Sequence, residues 1–203
     1  MPTFWDFCAP FYDFAEKANG RAYANMLKCV QKYVPHKANV IEIACGTGAI
    51  SMAVAKKAES VLCADISDKM LSVARRKAKR IGVLNIEIAN ANIYDTKQQE
   101  NSFDVVIAGQ VLHLLDNPSK ASYEIRRVAK HMVIMPMSFT RDLRGLAKFL
   151  VSFYRMLGFA PKIEFDMKLY EKFLIEMGFD NCEIITIAGR IPMAVAVWFK
   201  VEH

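Results

Sequence analysis

Two rhythms of apolar and polar residues run along this chain. Short runs rich in β-branched residues occur at 40–44, 61–64, 86–89, 103–108 and 132–135, and each reads as a strand. Between them apolar residues recur at three- and four-residue steps. That spacing predicts helices over 48–58 (Ile50, Ala53, Val54, Ala58 inward), over 69–81 (Met70, Leu71, Val73, Ala74, Ala78, Ile81 inward) and from 117 to about 129. Ser67 and the pair Asn117-Pro118 are N-terminal helix signals, and Gly82 suits a helix C-terminus. Strands alternating with helices imply right-handed crossovers and a parallel sheet covered on both faces.

The rhythm changes at both ends. Residues 18–34 form a helical pattern stopped by Pro35, preceded by a segment rich in aromatics: Phe4, Trp5, Phe7, Phe11, Tyr12 and Phe14. Lying before the first strand, these residues predict a helical cap over 1–36. Residues 142–158 form a long helical pattern with Leu143, Leu146, Leu150 and Leu157 on one side and Arg144, Lys148 and Arg155 on the other; 169–177 form another, closed by Gly178. Runs at 182–188 and 193–200 are joined only by Gly189-Arg190-Ile191-Pro192. So short a link permits antiparallel pairing alone. The expectation is one α/β domain over 1–203: a seven-stranded sheet with a terminal antiparallel hairpin, an N-terminal helical cap and a substrate-side helical insertion at 137–181.

Composition changes this picture little. The 203 residues are 53% hydrophobic and 24% charged, ordinary for a globular domain. The formal charge of +6 is concentrated partly in Arg75-Arg76-Lys77-Ala78-Lys79-Arg80, whose plainest reading is a solvated helix face. Five cysteines without C-x-x-C spacing indicate neither a disulfide framework nor a metal site. Without a leader pattern or a membrane-length apolar run, the expected location is cytoplasmic.

The chemistry gathers where the first strand ends. Glu42-Ile43-Ala44-Cys45-Gly46-Thr47-Gly48 takes an apolar run into a glycine turn, and Asp65 closes the second strand. Gly46 and Gly48 allow backbone to approach a ligand closely. The helix that follows offers free N–H groups, and Asp65 can accept hydrogen bonds from ribose hydroxyls. A dinucleotide would want a third glycine, and Ser51 stands there instead. Glu42 also sits badly beside a pyrophosphate. Its carboxylate suits a cofactor carrying an ammonium and a sulfonium.

Glu42-x-x-x-Gly46-x-Gly48, Asp65 and Phe103-Asp104-Val105-Val106 resemble the class I S-adenosylmethionine-dependent methyltransferases, a Rossmann-like fold. The likeness is nearest to the branch that includes the ubiquinone/menaquinone-biosynthesis methyltransferases. It implies the cofactor S-adenosyl-L-methionine, with S-adenosyl-L-homocysteine as product. It implies that Glu42, Ala44 and the Gly46-Thr47-Gly48 backbone hold the methionine moiety and that Asp65 binds the ribose. Ile66 and Met70 would flank the adenine. Asn90, Ala91, Asn92 and Ile93 would face its edge, with Asn90 where the family often has aspartate. Gly109 and Gln110 would lie near the sulfonium. Phe11-Tyr12-Asp13 is similar to a tyrosine-aspartate pair of that branch, which implies that Tyr12 closes over the cofactor.

Methyl transfer needs alignment and exclusion of water more than an obligatory catalytic side chain. If the acceptor must lose a proton, His113 after the fourth strand has an ordinary pKa suited to the task. Nucleobase-amino methyltransferases of the superfamily carry an Asn/Asp-Pro-Pro-aromatic tetrad at the end of the fourth strand. Here that place holds Ala108-Gly109-Gln110-Val111, which points away from nucleic acid. The aromatic segment and the methionines instead suggest a small apolar or aromatic acceptor, and the basic stripe of 142–158 is suited to transient contact with a membrane surface. Methylation of a lipid headgroup or RNA, and cofactor binding without catalysis, are the alternatives.

Overall fold

The computed structural model describes residue 9, residues 19–141, residues 143, 145, 151, 152, 155 and 156, and residues 161–201. The aromatic segment 4–17, apart from Ala9, and with it Tyr12 and Asp13, lies outside the described residues, as does most of the 142–158 pattern. Of that pattern, residues 145, 151, 152, 155 and 156 are helical.

The chain order is α1 (Gly20–Tyr33), β1 (Asn39–Ile43), α2 (Ala49–Val54), β2 (Ser60–Asp65), α3 (Asp68–Ile81), β3 (Ile86–Asn90), β4 (Phe103–Ile107), α4 (Pro118–Val128), β5 (Ala129–Ser138), α5 (Met167–Glu176), β6 (Glu183–Ile187) and β7 (Met193–Phe199), with a single 3₁₀ turn at Leu112–Leu114. The seven strands form one sheet in the order β3-β2-β1-β4-β5-β7-β6. β1 to β5 are parallel, while β7 runs antiparallel to both β5 and β6. The order reverses at β1, so the carboxyl ends of β1 and β4 open a crevice at a topological switch point, where such sheets bind ligands.

The two faces of the sheet follow from strand alternation. Ile41, Ile43, Val106, Val133 and Met135 pack with Ala121, Ile125 and Val128 of α4 and with Tyr170, Phe173 and Leu174 of α5. Val40, Val105, Ile107, Met132 and Ile134 point the other way, onto Ala22, Met26 and Val30 of α1 and Ile50 and Val54 of α2. Each such fully buried aliphatic side chain contributes about 1.5–3 kcal/mol through lost contact with water. α1 is therefore a full layer helix beneath the sheet.

Local sequence sets the helix ends. The Ser67 hydroxyl accepts from the Met70 N–H at 3.2 Å. Gly82 adopts φ +71°, and its N–H reaches the carbonyls of Ala78 and Lys79. Asn117 caps α4 through the Lys120 N–H at 3.0 Å, with Pro118 in the first turn. Asp166 caps α5 through the Leu169 N–H at 2.8 Å.

Three expectations shift. The second helix ends at Val54, and Ser51 and Met52 are buried in it along with Ile50 and Val54. β5 is ten residues long, from Ala129 to Ser138, and follows α4 without a loop. The segment 137–181 thus begins inside a strand and contains a helix whose Tyr170 and Leu174 are core residues. Among the described residues, no helix is long and apolar enough to cross a membrane.

Candidate active site

Three alternate positions carry the chain round the end of β1 with positive φ: Ala44 at +57°, Gly46 at +54° and Gly48 at +74°. Two of the three are glycine. Ala44 holds a left-handed conformation that costs about 1–2 kcal/mol for a residue with a Cβ. The turn is pinned by the Cys45 N–H to the Ala64 carbonyl at 3.0 Å and by the Gly48 N–H to the Cys45 carbonyl at 2.9 Å. At Gly48 an added Cβ would lie 3.1 Å from Cys63 Sγ and 3.3 Å from Met52 Cε. Both the conformation and the space at that position call for glycine.

Two buried carboxylates brace this turn from opposite sides. Glu42, 3% exposed, accepts the Ser51 N–H at 2.7 Å and the Ser51 hydroxyl, tying β1 to α2. Asp65, 8% exposed, accepts the Gly46 N–H on Oδ2 at 2.8 Å and the Ser67 N–H on Oδ1 at 2.8 Å. Asp65 therefore clips the glycine turn to the start of α3.

A cavity of about 340 Å³, counting its open mouth, lies over the turn. Its walls include Glu42, Ala44, Gly46 and Thr47 from the turn region, Gly109 and Gln110 from the end of β4, and Tyr23 and Met26 from α1. Six residues expected at a methionine subsite thus meet in one enclosure. Tyr23 and Met26 are contributions the sequence did not announce. Met26 belongs to the buried stripe of α1 with Ala22 and Val30, and a stripe alone does not tell which of its members tops a cavity.

The residues expected on the adenine side lie apart, past Asp65. Ile66 is 64% exposed. The Asn90 amide donates to the Ile66 carbonyl at 3.1 Å and to Asp68 Oδ1 at 3.0 Å, so it fixes the loop that presents Ile66. The Ala91 N–H bonds the Asp65 carbonyl at 3.0 Å. Asn92 Oδ1 accepts the Tyr94 N–H at 2.9 Å. Met70 and Ile93 are buried, Ile93 within the core on the α4 side.

Cys45 and Cys63 meet beneath the turn. Its hydrogen bond with Cys63, and after it burial, hold the Cys45 thiol well above its ordinary range, so it packs there as a neutral group. His113 sits in the 3₁₀ turn after β4 and is not among the cavity's lining residues. Desolvation pushes its pKa down to about 4. Its ordinary pKa, the reason for considering it as a base, is thus not the one it has in place.

The enclosure fits S-adenosylmethionine on its own chemistry. It combines an anionic group, a backbone without side chains at the closest approach, and a buried amide donor on Gln110 with no hydrogen-bond partner among the described residues. Residues 41–134 match a family described as a methyltransferase domain. Sequence motifs, fold and site together resemble those of the class I S-adenosylmethionine-dependent methyltransferases.

Within that class the chain is similar to the ubiquinone/menaquinone biosynthesis C-methyltransferase UbiE of Hydrogenovibrio crunogenus. The two are 28% identical over 183 residues, covering 78% of this chain and 72% of the relative. The demethylmenaquinone methyltransferase of Leptospira interrogans is 36% identical over 97 residues, covering 45% of this chain and 39% of that one. In fold it is similar to magnesium protoporphyrin IX methyltransferase from Synechocystis, crystallised with SAH, at a TM-score of 0.68 and 18% identity over 93% of this chain and 88% of that one.

Proposed function

We propose that this chain methylates a small apolar or aromatic molecule, a quinone-like ring being the leading acceptor class. The observation that carries the reading is the extent of likeness to the quinone-pathway C-methyltransferase, which runs through most of both chains. The division of the site supports it. The glycine-turn cavity accounts for the donor and leaves the end of β5, beside the aromatic cluster of Phe139, Phe165 and Tyr170, for an acceptor.

When bound, S-adenosylmethionine supplies an electrophilic methyl group with a neutral thioether as leaving group. The protein's part is placement. Glu42 sets negative charge against the cationic end of the cofactor, and Asp65 holds the ribose while bracing the turn. Tyr23 and Met26 cover the cavity from α1 and exclude water, which keeps the reacting groups aligned and undiluted. Gly109 leaves room at the end of β4, where a Cβ would come within 2.8 Å of Ile50 Cδ1.

With a pKa near 4, His113 is neutral at pH 7 and a poor match for proton abstraction there. We assign it a neutral hydrogen-bonding place on the acceptor side, with its carbonyl held by the Lys162 N–H at 2.8 Å. Tyr12 keeps its proposed role in closing over the cofactor. The domain layout proposed is one unit over 1–203 with the cap at 1–36. The acceptor-side insertion proposed is 137–181, which takes in the last residues of β5 and the whole of α5.

The test is incubation of the protein with methyl-labelled S-adenosylmethionine and a fractionated cell extract. Label in the small, solvent-extractable aromatic fraction supports the reading. Label in phospholipid headgroups or RNA contradicts it.

A further inference from the structure

Asn19 stands immediately before α1, where an asparagine side chain ordinarily caps its own helix. Here it makes no such bond. Both ends of its amide go instead to Ile191, 172 residues away: Nδ2 donates to the Ile191 carbonyl at 3.0 Å, and Oδ1 accepts the Ile191 N–H at 3.1 Å. The pairing settles the orientation of the amide, since turning it over would set donor against donor and acceptor against acceptor. Ile191 belongs to the four-residue turn between β6 and β7.

That turn meets α1 at a second point. A Cβ on Gly189 would lie 2.4 Å from the Ala22 Cβ, so a glycine is what lets the turn close on the helix. The same turn also holds the residue that follows β5: the Phe139 N–H reaches the Pro192 carbonyl at 2.8 Å. Gly189, Ile191 and Pro192 therefore hold the start of α1 against the start of the acceptor-side segment.

Helix geometry says what this pin positions. Asn19, Tyr23 and Met26 are spaced i, i+4 and i+7, which puts them on one side of α1. Tyr23 and Met26 line the glycine-turn cavity, and Asn19 does not. At its other end α1 is tied to α2, where Gln31 donates to the Ala53 carbonyl. The seat of Tyr23 is thus set by bonds made outside the cavity. We propose that Asn19 is a positioning residue: through its paired bonds to the β6–β7 turn it seats Tyr23 over the cofactor cavity. The terminal hairpin, remote from the glycine turn in sequence, thereby sets cofactor affinity. A wall already in place loses little freedom when the ligand arrives. The proposal rests on the cofactor reading and is independent of the acceptor.

The experiment uses the full chain and two ligands, S-adenosylhomocysteine and 5′-methylthioadenosine, which lacks the amino-acid tail. Calorimetry is run on wild type, Asn19→Ala, Tyr23→Ala and the double variant, with cooperative urea unfolding as the check that each has folded. Asn19→Ala is expected to lose about fivefold to tenfold in S-adenosylhomocysteine affinity and to stay within about twofold of wild type for 5′-methylthioadenosine. The double variant should bind S-adenosylhomocysteine within about twofold of Tyr23→Ala alone, because Asn19 acts through Tyr23. Asn19→Asp keeps the acceptor for the Ile191 N–H and loses only the donor; it repeats the test with a milder change should the alanine variant not fold. Unchanged S-adenosylhomocysteine affinity, equal losses for both ligands, or a loss that persists in full on the Tyr23→Ala background would overturn the proposal. A wild type that does not bind S-adenosylhomocysteine would overturn the cofactor reading and the proposal with it.

Discussion

The two halves of the proposed cofactor site are built on different principles. The proposed methionine half is a cavity whose walls come from the glycine turn, the start of α2, the end of β4 and α1. The adenine half is an open shelf from neighbouring strand ends, where Ile66 stands 64% exposed and Asn90 holds the loop beneath it. Asp65 joins them, with one oxygen on Gly46 and the other on Ser67. The contrast shows where selectivity can reside. An open apolar shelf accepts flat rings by contact, whereas the enclosure places charge and donors at fixed points and can discriminate among tails.

The largest effect should come from the residue common to both halves. Asp65→Ala is expected to lower S-adenosylhomocysteine affinity by about 100-fold or more, since two charge-assisted ribose bonds disappear. It should also lower stability by about 2 kcal/mol in urea unfolding, because the Gly46 and Ser67 N–H groups lose their acceptor. Lost affinity at unchanged stability would mean that Asp65 serves the ligand and not the turn.

Glu42→Gln should separate the halves. It keeps an oxygen for Ser51 and removes only the charge. About a tenfold loss is expected for S-adenosylhomocysteine, with 5′-methylthioadenosine unaffected, when both are titrated. Equal losses would show that the two halves are not independent. Ile66→Ala should reverse that pattern on a smaller scale, with both ligands weakened about threefold to fivefold by lost apolar contact.

The smallest effect on binding should come from a network remote from both halves. Glu124 accepts the Thr96 N–H at 2.8 Å and is bonded by Arg127, and the Arg127 bond, ahead of opposing desolvation, holds its pKa down to about 2. A depressed carboxyl stabilises the fold fully above its unfolded pKa of about 4.5 and loses that contribution as pH falls toward 2. Glu124→Gln should flatten this acid limb by about 1–2 kcal/mol, discounted for solvent screening, in denaturation between pH 6 and 3. Affinity for both ligands at pH 7 should not change.

How legible all this was in the sequence depended on how local each signal was. Ser67, Gly82 and Asn117-Pro118 act on their own helix ends, and they stand where the pattern placed them. The antiparallel hairpin followed from a four-residue link that chain geometry cannot otherwise close. β5 was read as four residues instead of ten because Lys130 and His131 are polar and Pro136 usually interrupts strands. In the sheet, the N–H that Pro136 lacks would face β4, which has ended at Ile107, so the pairing with β7 is untouched. The sequence points to Asp65 as a candidate ligand residue but not as a brace, since Gly46 and Ser67 meet it only once the sheet has formed. Tyr23 and Met26 were hidden for the same reason: no spacing within α1 records that its stripe reaches over β1's turn. The pKa of His113 depends on burial by distant segments, and residue type alone suggested the opposite.

The account's central claim is that an enclosed half reads the amino-acid tail and an open half receives the nucleoside. Calorimetric titration of the wild-type protein with S-adenosylhomocysteine and with 5′-methylthioadenosine tests it most directly. The account predicts that the tailed ligand binds about 100-fold tighter or more, reflecting two or three charge-assisted contacts in the cavity. Equal affinities would contradict it, by showing that the cavity over the glycine turn contributes nothing to recognition.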